Sequence, residues 1–298
     1  MRAETSVSPA ATNPLTGDRL IEAFWSIGLR KGVAVVVHGS MKSFGVPVAG
    51  GAETVIQALQ EVIGDRGTLL MPSFNFGRFQ RCGTPGEYNP QRTATAVGLT
   101  AETFWKMPCV HRSLNPTHPV AAWGQRAREY VAHHHRTLTM GVGSPLGLAY
   151  RDGGVCLFIG VGYRSNTFHH VVETMTDAPC LGQRTEEYPV ALPSGRIVAG
   201  RSWSWRAAPC PITDRARYRT AMHGLHTQNL IAGTHCVLTF YRLQDAFEVI
   251  ARRLAGGLGA YPSCRRCQVR PRHCENTVPS DWDERLKQPS ETSSCWTY

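Results

Sequence analysis

The chain has 298 residues, 42% of them hydrophobic and 18% charged, which is enough apolar content to bury a sizeable core and excludes a disordered chain. Its formal charge of +10 attracts anions such as phosphorylated cofactors, but the basic residues form no long block and no nucleic-acid reading motif, so nucleic acid is not an expected partner. No stretch has the pattern of a signal peptide or the length of a membrane span, so a cytoplasmic protein without a membrane partner is expected.

Leu20, Ile21, Phe24, Trp25 and Leu29 recur at helical spacing and predict an amphipathic helix over 16–29. A β-branched run at 33–37 predicts a buried strand that ends at His38-Gly39-Ser40. A glycine-containing loop follows, then a predicted helix over 52–63 with Gly64 as its stop, and a strand over 68–71 ended by Pro72. Residues 75–95 lack periodicity and read as a long loop, a type of segment that is often functional. Beyond it the pattern predicts a helix at 99–107, a strand at 119–123, a short helix at 125–133, a strand at 155–161 and a helix at 166–175. Shorter strand-like pieces over 188–204, a helix near 214–225, a strand at 237–241 and a helix at 243–254 complete the body. Alternating strands and helices predict a layered α/β fold in one domain over 1–298, with a smaller lobe from about residue 188 and a Cys- and Arg-rich surface tail at 261–298.

The turn from the first strand, His38-Gly39-Ser40-Met41, and the helix start at Gly50-Gly51-Ala52 expose backbone N–H groups suited to a phosphate. The Walker pattern is absent, and the same spacing suits a plain strand–helix connection. In Asn166-Thr167-Phe168-His169-His170-Val171-Val172-Glu173, a helix puts His170 and Glu173 on one face at i,i+3, with Thr167 one turn earlier. A carboxylate beside an imidazole fixes its tautomer and supports its protonated form, the arrangement of a general base, but spacing alone favours a capping or packed histidine beside a solvated surface acid. Glu173 is also i+4 from His169, and spacing does not choose between the two histidines. His118, in a proline-stiffened turn, reads as structural, and Gly141–Gly147 reads as a loop. Adjacent histidines diverge on a helix, so His133-His134-His135 is not expected to share an ion. Cys156, inside an apolar run, reads as a buried thiol. Cys264, Cys267 and Cys274 make half of a zinc site without its second half; packed or free thiols are expected there rather than a structural zinc.

In order, several of these stretches resemble the aminoglycoside 3-N-acetyltransferase family, whose fold is not the Gcn5 type. They are His38-Gly39-Ser40-Met41, Gly50-Gly51-Ala52-Glu53-Thr54, the run from Gly67 to Phe74, that from Arg112 to Gly124, Gly143-Ser144-Pro145-Leu146-Gly147, and Gly160-Val161-Gly162 through Glu173. The resemblance implies a mixed-sheet α/β/α fold, acetyl-CoA as co-substrate, and direct acetyl transfer to a primary amine of a small molecule. The family pattern Asn-Thr-x-x-His-x-x-Glu selects His170 as the base, with Glu173 orienting it and Thr167 donating to the tetrahedral oxyanion or to the departing thiolate. It implies that His38, Ser40, Met41, Lys42, Val46, Gly50, Gly51, Thr117 and Ser144 hold the coenzyme, and that Asn75, Glu102 and Asn166 face the acceptor. An aminoglycoside is a polycation, yet the loop at 75–95 carries Arg78, Arg81 and Arg92 against the single acid Glu87. That balance points to a neutral or anionic acceptor, such as an amino sugar or a nucleotide- or phosphonate-linked amine. A competing reading is a CoA-binding or zinc-stapled interaction protein without catalysis, which would need neither His170 nor Glu173.

Overall fold

The computed structural model describes residues 13–77, 86–176, 184–204 and 218–255. The cysteine cluster at 264–274, the tail around it, and Arg78 and Arg81 of the long loop lie outside the described residues.

The first helix, α1 (Gly17–Ile27), buries Leu20, Phe24 and Ile27 and ends at Gly28, whose φ of 116° gives the left-handed turn of a helix stop. Strand β1 (Ala34–Gly39) leads through a short 3-10 turn (Met41–Phe44) to α2 (Gly51–Ile63) and β2 (Thr68–Pro72). Then come α3 (Leu99–Phe104), the two-residue β3 (His111–Arg112), β4 (Val120–Gly124), α4 (Ala127–Val131), α5 (Pro145–Arg151) and β5 (Val155–Ile159). A second 3-10 turn (Tyr163–Ser165) precedes α6 (Phe168–Met175), and the chain continues through β6 (Arg184–Ala191), β7 (Ile197–Ser204), α7 (Tyr218–Ala221), β8 (His226–Leu230), β9 (Val237–Arg242) and α8 (Leu243–Ala255).

Seven strands form one mixed sheet in the order β3-β4-β2-β1-β5-β9-β8. Strand β1 runs parallel to both β2 and β5, whereas β4 and β9 pair antiparallel at the flanks. Side chains on the central strands alternate between two cores, as strand geometry requires. Val35, Val37, Leu69, Met71, Leu157 and Ile159 pack with α1 and α2 on one face. Val36, Leu70, Cys156 and Phe158 pack with α4, α5, α6 and α8 on the other. The result is the α/β/α layering and mixed sheet that the sequence implies. Cys156 is fully buried, and burial pushes its thiol up to about 12.

Beyond residue 188 the described chain divides its loyalties. Strands β6 and β7 form a separate two-stranded hairpin, held to the body by Tyr88, Leu114, Val190 and Leu192. Strands β8 and β9 instead extend the main sheet. The helix expected near 214–225 is described only from residue 218 and is helical over Tyr218–Ala221. Strand β8 escapes the sequence pattern because its residues, His-Thr-Gln-Asn-Leu, are polar and sit at a sheet edge. Helix α5 begins inside the stretch read as a loop: Ser144 accepts from Gly147 N at 3.2 Å and Pro145 takes the first turn. Among the described residues, no helix is long and apolar enough to cross a membrane.

Candidate active site

Parallel strands β1, β2 and β5 all point their carboxyl ends the same way. From β1 the chain moves to β2 on one side, while β5 lies on the other. Such a switch point leaves a crevice beyond the strand ends, where ligands bind in open α/β sheets. The exits of β1 and β5 are tied together there, since Ser40 N donates to Ile159 O at 3.0 Å. A cleft of about 710 Å³ opens at this place.

Four stretches wall the cleft. The β1 exit supplies His38, Gly39, Ser40, Met41 and Lys42; the β2 exit supplies Pro72, Phe74 and Phe76. Residues from Ala96 to Ala101 form the approach to α3 and its first turn, the β5–α6 connection contributes Val161, Arg164, Ser165 and Thr167, and α6 itself contributes His170. His118 closes one side, with its ring edge-on to Phe74 at 4.9 Å and to Phe76 at 5.3 Å. Phe76 is 43% exposed and adopts a φ of 55°, which for an aromatic residue is a strained backbone of the type found at ligand sites.

Helix α6 carries the strongest chemistry. His170 Nδ1 lies 2.7 Å from Glu173 Oε2, and His169 Nε2 lies 2.9 Å from Glu173 Oε1. Glu173 and His169 are fully buried, while His170 keeps 14% of its side chain exposed. Glu173 therefore serves both histidines, and only His170 reaches the cleft. Burial alone would raise the Glu173 carboxyl, but the charges and hydrogen bonds of His169 and His170 outweigh it and hold the group well below the usual carboxylate range. The three groups have ligand atoms within 4.8 Å of one another. One nitrogen of each imidazole, however, already sits at hydrogen-bonding distance from a carboxylate oxygen, whereas ligands to a zinc ion would surround it at about 2 Å. The geometry is that of a proton-holding trio.

The other sequence-derived candidates divide. His38, Ser40, Met41, Lys42 and Thr167 line the cleft with His170, and Thr167 Oγ1 lies 3.4 Å from Ser165 O. Val46, Gly50 and Gly51 stand outside the cleft wall: Val46 packs against the core beneath α1 and α2, and Gly50 caps α2. Ser144 is fully buried, donating to Gly141 O at 2.7 Å as it caps α5. Thr117 is buried and bonded to His118 Nδ1 at 2.8 Å and to Ser202 Oγ. Asn75 is buried, its amide on Pro116 O at 2.9 Å and its carbonyl on Gly77 N at 2.7 Å. Glu102 braces its own neighbourhood, accepting from Thr95 N at 2.7 Å and Trp105 Nε1 at 3.0 Å. Asn166 is buried just before α6. For Ser144, Thr117, Asn75 and Glu102, local hydrogen bonding, which spacing does not reveal, sets the direction of the side chain.

Sequence reasoning passes over Phe74, Phe76, Arg164 and the 97–100 turn, and reads His118 as structural. Phe74, Phe76 and Arg164 share one signal, position after the carboxyl end of a parallel strand (β2 or β5), which becomes visible only with the strand order; His118 instead precedes the antiparallel β4, and residues 97–100 lead into α3. Burial, and then electrostatic repulsion from the neighbouring His170 and His134 imidazoles, pushes His118 down to about 3, so this wall is a neutral imidazole near pH 7.

Known proteins of one family resemble this chain. The family model for aminoglycoside 3-N-acetyltransferase matches residues 36–250. The chain is 32% identical over 182 residues to the SPbeta prophage-derived aminoglycoside N(3')-acetyltransferase-like protein YokD of Bacillus subtilis, an alignment spanning 55% of this chain and 66% of that one. It is 30% identical to aminoglycoside N(3)-acetyltransferase III of Salmonella sp, over 65% of this chain and 70% of the relative. The solved structure of AAC-IIIb, a binary complex with CoASH, shares the fold with a TM-score of 0.69 at 24% identity, covering 83% of this chain and 98% of that one. With the matched region running from β1 through α8 and enclosing every wall of the cleft, the chain belongs to the aminoglycoside 3-N-acetyltransferase family.

Proposed function

We propose that this chain transfers the acetyl group of acetyl-CoA directly to a primary amine on a small molecule, with His170 as general base. The observation that carries the reading is the cleft-facing His170 held by a buried, ionised Glu173 at 2.7 Å. With Nδ1 committed to the carboxylate, the nitrogen that accepts a proton from a bound amine is Nε2. As the amine nitrogen bonds to the acetyl carbon, its proton passes to His170, and the imidazolium so formed is paired with Glu173. The carbon–sulfur bond then breaks and the thiolate leaves as coenzyme A, regaining a proton from His170. Thr167 lines the same wall one turn before His170, and in this reading its hydroxyl donates to the oxyanion, a role often worth about 3 kcal/mol.

Acetyl-CoA suits this cleft because the cationic side chains of Lys42 and Arg164 line it and attract a polyanion. The CoASH-bound AAC-IIIb of the same fold supports that choice. No Asp or Glu lines the cleft among the described residues. The relatives are named for aminoglycosides, which are polycations, but this lining favours a neutral or anionic amine such as an amino sugar or a nucleotide- or phosphonate-linked amine.

Thiol release from acetyl-CoA, measured across a panel of amines, tests both parts. Replacing His170 by Ala is expected to lower kcat by about 10²- to 10⁴-fold; full turnover by that variant would remove His170 as the base. Efficient acetylation of kanamycin or gentamicin would overturn the acceptor class and leave the transfer chemistry standing.

A further inference from the structure

Two adjacent histidines precede Glu173, and the structure places both on the same carboxylate. His169 and His170 sit four and three residues before Glu173 on a single helical turn, at 2.9 Å from Oε1 and 2.7 Å from Oε2. Their rings meet edge to face, with centroids 5.5 Å apart. His169 is fully buried and does not touch the cleft, so it has no contact with a reacting atom.

We propose that His169 is a positioning residue: it fixes the Glu173 carboxylate in its ionised form and in the rotation that presents Oε2 to His170. This rests on His170 being the base. A buried carboxylate with one partner is free to turn about its terminal torsion, and burial favours its protonation. A protonated Glu173 would no longer hold the imidazolium that forms during transfer. A second donor on Oε1 removes both freedoms, because it locks the plane of the carboxylate and stabilises its charge. The arrangement parallels a buried acid that orients a catalytic imidazole, with a further residue orienting the acid.

The surrounding titratable groups leave this role to His169. Across the cleft, His118 is the imidazole coupled to His170, with His38, Lys42 and Arg164 along the same walls. Behind α6, the packed helices α5 and α8 carry Tyr150, Arg151, Asp152, Asp245, Glu248 and Arg252. Glu248 pairs with Arg252 at 3.3 Å and Asp152 with Arg126 at 2.6 Å. The charge partners of Glu173 are His169 and His170.

Two substitutions at one site separate positioning from packing. His169→Leu fills the space without a donor, and His169→Gln puts an amide N–H near the former Nε2. The Leu variant is expected to lose kcat by about 10- to 100-fold with the KM for acetyl-CoA unchanged, and to shift the acidic limb of the kcat–pH profile. The Gln variant is expected to recover most of kcat and the wild-type profile. If Leu fails to fold, His169→Asn replaces it, since its shorter amide reaches the Nδ1 position instead. Wild-type kcat and pH profile in the Leu (or Asn) variant, or equal impairment in Leu and Gln, would overturn the proposal. His170→Ala, assayed in parallel, reports separately on the base: full turnover there defeats the reading on which the proposal rests, whatever the His169 variants do.

Discussion

A methyl group at Gly160 would run into the side chain of Ser43. Gly160 also has a φ of 63°, a left-handed backbone that side chains disfavour. It stands directly after β5, while Ser43 belongs to the turn after β1 and donates to Ser40 O at 2.6 Å. One glycine therefore lets the two main cleft walls lie side by side. Gly160→Ala is expected to cost about 1–3 kcal/mol, read from denaturant unfolding; an unchanged midpoint would show that Ser43 moves aside freely. At this scale the sequence is informative where geometry is local. The spacing of His170 and Glu173 is legible because a helix fixes it. The engagement of His169 is legible only as an option, because i+3 and i+4 are both within reach of one carboxylate and side-chain rotation decides whether one or both are used.

Helix α5 shows how an element hides from its own sequence. Gly147 lies within it, and glycine normally argues against a helix interior. Here a side chain would strike the backbone carbonyls of Gly141 and Val142, so the preceding loop folds over the helix where only a glycine fits. Ser144 starts the helix, and its hydroxyl is spent on Gly141 O and Gly147 N. Ser144→Ala is accordingly expected to lower stability by about 0.5–2 kcal/mol without raising the KM for acetyl-CoA. A raised KM with an unchanged melting temperature would return Ser144 to the coenzyme site. The strands were easier to read than the turns, since alternation is imposed by the backbone of each strand, whereas α5 depends on what crosses above it.

Across the whole molecule, buried imidazoles link stability to pH. His134 is fully buried and satisfied as a neutral ring: Nε2 donates to Thr139 O at 2.9 Å, and Nδ1 accepts from Ser113 Oγ at 2.8 Å. Burial pushes both His134 and His135 down from 6.5 to about 4. The unfolded chain therefore takes up protons between those values that the folded chain refuses. Their stabilisation is complete above pH 6.5 and is lost as pH falls toward 4, at up to about 1.4 kcal/mol per pH unit for each group. Glu173, held low when folded, adds its loss at more acid pH. Melting temperatures should thus decline from pH 6.5 to 4, with a shallower slope in His134→Gln; a flat profile over that range would contradict the neutral buried rings. The sequence by itself determined the layered α/β class, the course of most strands and helices, the family and the His170–Glu173 pair. These follow from backbone periodicity and from residues close together in the chain. Only the tertiary structure decided which candidates share the cleft, that Ser144, Thr117 and Asn75 are spent on local bonds, that His118 and Phe76 wall the site, and that Glu173 holds two histidines. Those outcomes depend on which loops meet beyond the carboxyl ends of β1, β2 and β5, and that is fixed by strand order between residues far apart in the chain.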